Sequence, residues 1–204
     1  MSERVRWARA LEAIARSGLT YSESAFDRER FEAVRSIAAE IAADASGEDA
    51  VELRARFADE YGYATPKVDV RGVVLGDRGL LLVRELDDTR WTLPGGWADV
   101  GETPRQAVEK EVRQEAGLDV TAVRVIAVYD RDFRGRTQWP AHVYKLYVRC
   151  DLIGGEPKGD GLETEEASFF AVDELPELSP KTPAGHLQAV LGLATDPERG
   201  AELD

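Results

Sequence analysis

Basic charge is what this 204-residue chain lacks most: 26 Lys and Arg stand against 39 Asp and Glu, a net charge of −13. A surface that reads nucleic acid through its phosphates needs the opposite sign, so no nucleic-acid partner is expected. The same deficit disfavours anionic membrane surfaces. No apolar run approaches the roughly 20 residues of a membrane-spanning helix, so no membrane association is expected. Residues 1–16 are charged throughout, so no cleaved leader is expected. Cysteine occurs once, as Cys150. That excludes an intrachain disulfide framework and suits a reducing, cytoplasmic setting. Repeats and low-complexity tracts are also missing. What remains is 43% hydrophobic, enough for a core, in a length that allows one domain or two small ones.

Residues 2–60 read as helical. Trp7, Leu11 and Ile14 recur at helical spacing, as do Phe31, Val34, Ile37, Ala38 and Ile41, and then Leu53 and Phe57. Ser17-Gly18 and Ser46-Gly47 are expected to break this run into three helices. No basic recognition helix is present, so a DNA-reading role is not expected. Such a piece is small to close its own core, so residues 1–62 are expected to need a covering surface, and a homodimer is the expected form. Residues 61–66 read as a linker, and a second domain is expected over 67–204.

From Lys67 the period changes to two. Asp69, Arg71 and Val73 alternate with Val68, Val70 and Val74, which predicts a strand. Gly76-Asp77-Arg78-Gly79 turns it, and Leu80–Val83 returns as a hairpin. Later strands are expected over Val120–Tyr129, His142–Arg149 and Ala167–Ala171, with loops at 130–140 and from Gly154-Gly155 to Gly161. A last helix is expected over Pro183–Ala194. Sheet, helix, sheet, helix is an α+β arrangement.

The stretch Leu93–Leu118, LPGGWADVGETPRQAVEKEVRQEAGL, carries the chemistry. Pro94-Gly95-Gly96 predicts a tight turn with bare backbone. Thr103 as N-cap and Pro104 at the first position predict a helix start, and Gly117 its end. Glu111 and Glu115 are four apart and share one helix face, expected to be exposed. Like charges at that spacing repel, and a divalent cation between them reverses the sign. Oxygen donors with room for water suit Mg²⁺, which commonly meets substrate phosphates this way.

The same stretch resembles the Nudix box, Gly-x5-Glu-x7-Arg-Glu-U-x-Glu-Glu-x-Gly-U, with U a bulky aliphatic residue. The match runs from Gly96 through Glu102, Lys110-Glu111-Val112 and Gln114-Glu115 to Gly117-Leu118. Lys110 replaces the family's Arg and loses its planar fork. Gln114 replaces the first Glu of a pair and loses its charge. The resemblance implies a Nudix α/β/α sandwich with a mixed sheet, preceded by a small all-helical N-terminal domain. Together with LLVRE, HVYKLY, LIGGEP and ETEEASFF, it is similar to a bacterial subgroup of dimeric ADP-ribose and CDP-choline pyrophosphatases.

What that resemblance implies is an Mg²⁺-dependent pyrophosphohydrolase, with Mn²⁺ as an alternative ion. Its substrate would be a nucleoside diphosphate linked to a small moiety. The subgroup resemblance places CDP-choline slightly ahead of ADP-ribose. A proline that some ADP-ribose enzymes carry about 15 residues beyond the box is missing, with Arg134 in its place, which lowers the ADP-ribose reading without excluding it. The metal would be held by Glu111, Glu115 and the Gly95 carbonyl, with Glu102 bracing the loop. The catalytic base would come from the acidic loop of residues 163–166, as Glu163 or Glu166, against the alternative that this loop is only solvated. Arg71 and Arg84 on the hairpin are candidates for phosphate, and Trp91 for base stacking, although a Trp beside a strand is more often core. Arg131, Arg134 and Arg136 are candidates for a specificity loop. His142 and His186 have the residue type of a base, but a lone His on such a strand is more often structural. The rival from another class is a catalytically weak domain that senses nucleotide without cutting it.

Overall fold

The computed structural model describes residues 2–132 and 141–204; Arg134 and Arg136 therefore lie outside the described residues. Contacts divide the described residues into a mainly helical unit, residues 2–67 with 141–142, and a β-rich unit, residues 68–132 and 143–204.

The helical unit holds α1 (Glu3–Tyr21), α2 (Ala25–Ser46) and α3 (Ala50–Ala58). Each starts on a capping side chain, Ser2, Ser24 or Asp49, that accepts a backbone N–H of the first turn. Gly47 ends α2 in the left-handed region at φ 78°. The break expected at Ser17-Gly18 does not occur: α1 runs on to Tyr21. Gly18 is there for packing, since a Cβ at this position would collide with the Phe31 ring of α2. The unit's core is small, built from Ala8, Ala38, Ala39, Ala42, Leu53 and Phe57. Trp7 and Ile37 remain about half exposed and Phe26 more so.

In the second unit β1 (Lys67–Gly76) and β2 (Gly79–Glu85) form the hairpin around Asp77-Arg78. There follow β3 (Trp91–Thr92), α4 (Pro104–Ala116), β4 (Leu118–Asp130), β5 (Val143–Gly155), β6 (Thr164–Phe170), α5 (Ala184–Ala194) and β7 (Glu202–Leu203). Among the described residues these strands make one seven-stranded sheet in the order β3-β2-β1-β5-β4-β7, with β6 also on β2. β4 and β7 pair in parallel while β2–β3, β2–β6 and β4–β5 are antiparallel, so the sheet is mixed. Alternation sends Val70, Val74, Leu81 and Val83 to one face, onto Val108, Val112 and Ala116 of α4. Val73, Leu80 and Leu82 point to the other, onto Leu187, Val190 and Leu193 of α5. A sheet covered by a helix on each face is the expected sandwich, and the whole is α+β.

Two boundaries differ from expectation. Gly154-Gly155 is strand, not loop, because β5 pairs there with Leu118 and Asp119 of β4. Gly155 has φ 94°, and a Cβ would press to 2.6 Å from the Gly117 carbonyl oxygen, so glycine is what lets the ladder close. Likewise β6 begins at Thr164, which puts Glu165 and Glu166 in the sheet rather than in a loop.

Candidate active site

The start of α4 is locked by a capping box. The Thr103 hydroxyl accepts the Gln106 N–H, and the Gln106 side chain accepts the Thr103 N–H at 2.9 Å. Gly117 closes the helix at φ 68°. With both ends fixed, Val108, Val112 and Ala116 face the sheet, and Gly72 lets α4 approach β1, since a Cβ there would lie 2.6 Å from a Val112 methyl. Glu115 is carried inward with that face. It is 5% exposed, not on an exposed face as the spacing alone suggested.

Glu111 and Glu115 meet the bare turn before the helix. The Gly95 N–H donates to Glu115 Oε2 at 2.7 Å. Gly95 holds φ 141°, and a Cβ would overlap the Val70 carbonyl oxygen, so only glycine fits. A Cβ on Gly96 would lie 3.0 Å from Glu111 Oε2. The turn is stitched along β1, with Gly72 N–H donating to the Pro94 carbonyl and Val70 N–H to the Gly96 carbonyl, both at 2.8 Å. Lys110 ties the loop to the helix, reaching Asp99 at 2.8 Å and Glu102 at 3.0 Å, with Glu111 at 3.5 Å.

The two carboxyls are uncomfortable as anions. Burial pushes Glu115 up to about 8; Arg71 and the Gly95 N–H oppose this, and the charges of Glu111 and Glu85 add to it. Burial also raises Glu111 against the pull of Lys110 and Arg71, and the charge of Glu163 adds to the rise. Glu163 thus acts on Glu111, and the Thr164 hydroxyl next to it donates to the Glu115 carbonyl at 2.8 Å. Glu166 does not stand free: it faces Arg84 across β2 and β6 and binds it at 3.0 Å, while Glu165 binds the same Arg84 at 3.4 Å.

Three candidates for substrate contact have protein partners. Arg71 is buried, its guanidinium forked onto Asp69 at 2.8 and 3.0 Å and donating to the Leu93 carbonyl at 2.9 Å. Trp91 packs edge-on against Phe170, ring centroids 4.6 Å apart, beside the core under α5. Arg84 lies over the Trp91 ring at 5.8 Å. His186 is buried and bonds the Tyr147 hydroxyl through Nδ1 at 2.8 Å, a core histidine.

Sequence reasoning missed Lys145 and Asp69 as partners. Lys145 is buried with its ammonium 3.0 Å from Asp69. Burial and the Arg71 charge push Lys145 down to about 7, against the pull of Asp69. Asp69 is held below the ordinary carboxylate range: burial resists, but Arg71 and Lys145 outweigh it. The signal was present, since Lys145 alternates in register with Val143 and Tyr147. Also missed was Asp160, whose carboxylate accepts the N–H groups of Leu162, Glu163 and Thr164 at 2.9, 3.0 and 2.9 Å.

The donor set suits a hard divalent cation. Glu111 and Glu115 are oxygen donors one turn apart, both destabilised by burial, against a turn without side chains. Among the described residues no cluster of three His, Cys, Asp or Glu is preformed for a metal, so backbone oxygen and water would complete the sphere. Such an oxygen-rich, partly hydrated sphere suits a hard divalent cation.

Comparison with known proteins identifies both parts of the chain. A model of the NUDIX domain matches residues 65–190, and one described as a UDP-X-like, N-terminal oligomerisation domain matches residues 2–57. A Bacillus subtilis (strain 168) protein, YjhB, provisionally named an ADP-ribose pyrophosphatase, is 41% identical over 174 residues, covering 85% of this chain and 83% of its own. An ADP-ribose pyrophosphatase of Methanocaldococcus jannaschii is 36% identical over 57% of this chain and 69% of its own length. Among solved structures, a UDP-X diphosphatase superposes with a TM-score of 0.63 at 31% identity, over 99% of this chain and 98% of that one. An ADP-ribose pyrophosphatase from Streptococcus suis 89-1591 gives 0.61 at 38% identity, over 69% of this chain and all of its own. Nudix hydrolases generally use divalent metals. This chain belongs to the Nudix family and is a Nudix hydrolase.

Proposed function

We propose that this hydrolase splits the diphosphate of a nucleoside diphosphate linked to a small moiety, with Mg²⁺ as its ion and Mn²⁺ able to replace it. The observation that carries this reading is the pair Glu111 and Glu115 set against the Gly95-Gly96 turn, both carboxyls raised chiefly by burial. Glu111, Glu115 and the Gly95 carbonyl would hold the ion. Bound there, it would neutralise charge growing on the phosphate oxygens. Glu163 takes the proton of the attacking water at its carboxylate; Glu166 is set aside for this role because Arg84 already binds it. Arg84 stays a candidate for the substrate's phosphates. Lys110 keeps the grip on Glu102 that the family's Arg would have, which favours an active enzyme over a nucleotide sensor.

Relatives named for ADP-ribose support that substrate, with products AMP and ribose 5-phosphate. CDP-choline, giving CMP and phosphocholine, and UDP-linked compounds are its rivals. A screen of ADP-ribose, CDP-choline and UDP-glucose with and without Mg²⁺, reading monophosphate release, decides among them. Release from none of the three would overturn the reading.

The half-exposed Trp7 and Ile37 and the match to an oligomerisation domain support a homodimer through residues 1–62. Light scattering checks this. A full-length monomer would overturn the dimer, and a dimer of residues 63–204 alone would move the interface elsewhere.

A further inference from the structure

We propose that Asp160 is a positioning residue for the reaction, setting Glu163 against the Glu111–Glu115 pair. This rests on Glu163 as the base. Glu163 precedes β6 and is itself exposed. The backbone around it is nevertheless fixed from three directions. Asp160 Oδ1 accepts the N–H groups of Leu162, Glu163 and Thr164, three successive donors on one oxygen. The Thr164 hydroxyl accepts the Asp160 N–H at 3.2 Å and donates to the Glu115 carbonyl at 2.8 Å. That second bond ties the bend to the residue of α4 that carries one of the paired carboxylates. The Leu86 N–H donates to the Glu163 carbonyl at 2.9 Å and anchors the bend to the end of β2.

The N-terminal side of the bend is fixed too. The Lys158 N–H donates to the Ala116 carbonyl at 2.9 Å, and the Gly161 N–H to the Thr164 carbonyl at 2.8 Å. A Cβ on Gly159 would run into the Glu165 backbone, so the chain folds back tightly before Asp160. Without the Asp160 carboxylate, the N–H groups of residues 162–164 lose their shared acceptor, and within itself the bend is left with the bonds that Gly161 and Asp160 make to Thr164. Residue 163 would then keep its side chain but lose its place. Misplacement of about 1 Å in a catalytic group costs on the order of 10²-fold in rate.

The test uses the full chain and the substrate turned over fastest among ADP-ribose, CDP-choline and UDP-glucose. Asp160→Ala is expected to lower kcat by on the order of 10- to 100-fold with KM little changed. Asp160→Asn keeps an acceptor oxygen and is expected to recover most of that loss. Because Asp160 acts through Glu163, adding Asp160→Ala to Glu163→Gln is expected to cost little more than Glu163→Gln alone. Amide exchange should quicken at residues 162–164 in Asp160→Ala. Full kcat in Asp160→Ala, or a loss that multiplies with that of Glu163→Gln, overturns the proposal. Full kcat in Glu163→Gln instead overturns the base assignment on which it rests. If Asp160→Ala does not fold, Asp160→Ser, whose single neutral hydroxyl oxygen is a weaker acceptor for the three N–H groups, carries the same cycle.

Discussion

Asp69 and Glu115 are equally buried, at 6% and 5% exposure, and yet they sit in opposite electrostatic states. Asp69 has two cations within hydrogen-bond distance, Arg71 and Lys145, and stays ionised. Glu115 has one backbone N–H and a more distant Arg71, and burial pushes it up to about 8. The first carboxylate is satisfied by the chain's own side chains and serves the fold. The second is left short of positive charge, beside Glu111, which is raised as well. A buried anion short of a partner is where a protein leaves work for a ligand to finish. The two sites are joined by Arg71, which forks onto Asp69 and also acts on Glu115. Its position thus explains both why Asp69 is quiet and why Glu115 is not fully abandoned.

The largest expected effect breaks the unsatisfied side. Glu115→Gln keeps an oxygen for the Gly95 N–H but removes the charge. Turnover should fall on the order of 10³-fold, about 4 kcal/mol of transition-state stabilisation. Mg²⁺ should raise the melting temperature of the wild type and leave that of the variant unchanged. Wild-type turnover in the variant would remove Glu115 from the site.

Breaking the satisfied side should cost stability instead. Asp69→Ala strands two buried cations, and losing one member of a buried ion pair costs about 3 kcal/mol or more. For a chain of this size that lowers the melting temperature by roughly 10 °C, with or without Mg²⁺. An unchanged melting temperature would show that Arg71 and Lys145 find other partners.

Lys145 sharpens the comparison through pH. Its folded value of about 7 lies below the ordinary 10.5. Between those values the unfolded chain binds a proton that the folded chain does not, so stability from this group rises with pH across the window. It is fully present above 10.5 and is lost as pH falls through 7. Asp69, Arg71 and Arg131 are the charges that act on it. Lys145→Met should lack the gain, and the stability difference between wild type and variant should grow by on the order of 2 kcal/mol from pH 7 to 10. Denaturant melts of both proteins across that range read it directly; a flat difference would place a charged lysine there at all pH.

Local chemistry in the sequence was enough to place α4 and the hairpin. Thr103, Pro104 and Gly117 are caps whose action needs no distant partner, and Gly76–Gly79 is a turn in its own right. What needed distant partners was not legible. Gly18 reads as a breaker until Phe31 is seen against it. Gly154-Gly155 reads as loop until β4 pairs with it. β7 is two residues paired in parallel with β4 and carried no pattern of its own. In the site, the spacing of Glu111 and Glu115 was visible, but the burial of Glu115 depends on how α4 rolls onto β1. Lys145 alternated with apolar residues as a buried residue should, but charge argued for water, and only Asp69 across the sheet resolves that conflict. Asp160 was invisible because its partners are backbone N–H groups, which sequence does not display.

The smallest effect concerns Gln114, the box position that lost its charge. It is exposed, a helical step of about 100° from Glu115, and so borders the unsatisfied pair without sharing its burial. Gln114→Glu adds a third carboxylate near Glu111 and Glu115. In water-exposed surroundings, charges a few ångströms apart interact by about 1 kcal/mol. The added charge should therefore lower the Mg²⁺ concentration for half-maximal rate by a few-fold, with kcat at saturating Mg²⁺ nearly unchanged. It should also raise Glu115 slightly further in the metal-free protein, since like charges one residue apart oppose each other's ionisation. A Mg²⁺ titration of both proteins at low ionic strength gives the readout, because salt screens an exposed charge first. An unchanged half-maximal concentration would mean that this position faces away from the ion, and that the lost charge of the box has no bearing on metal binding here.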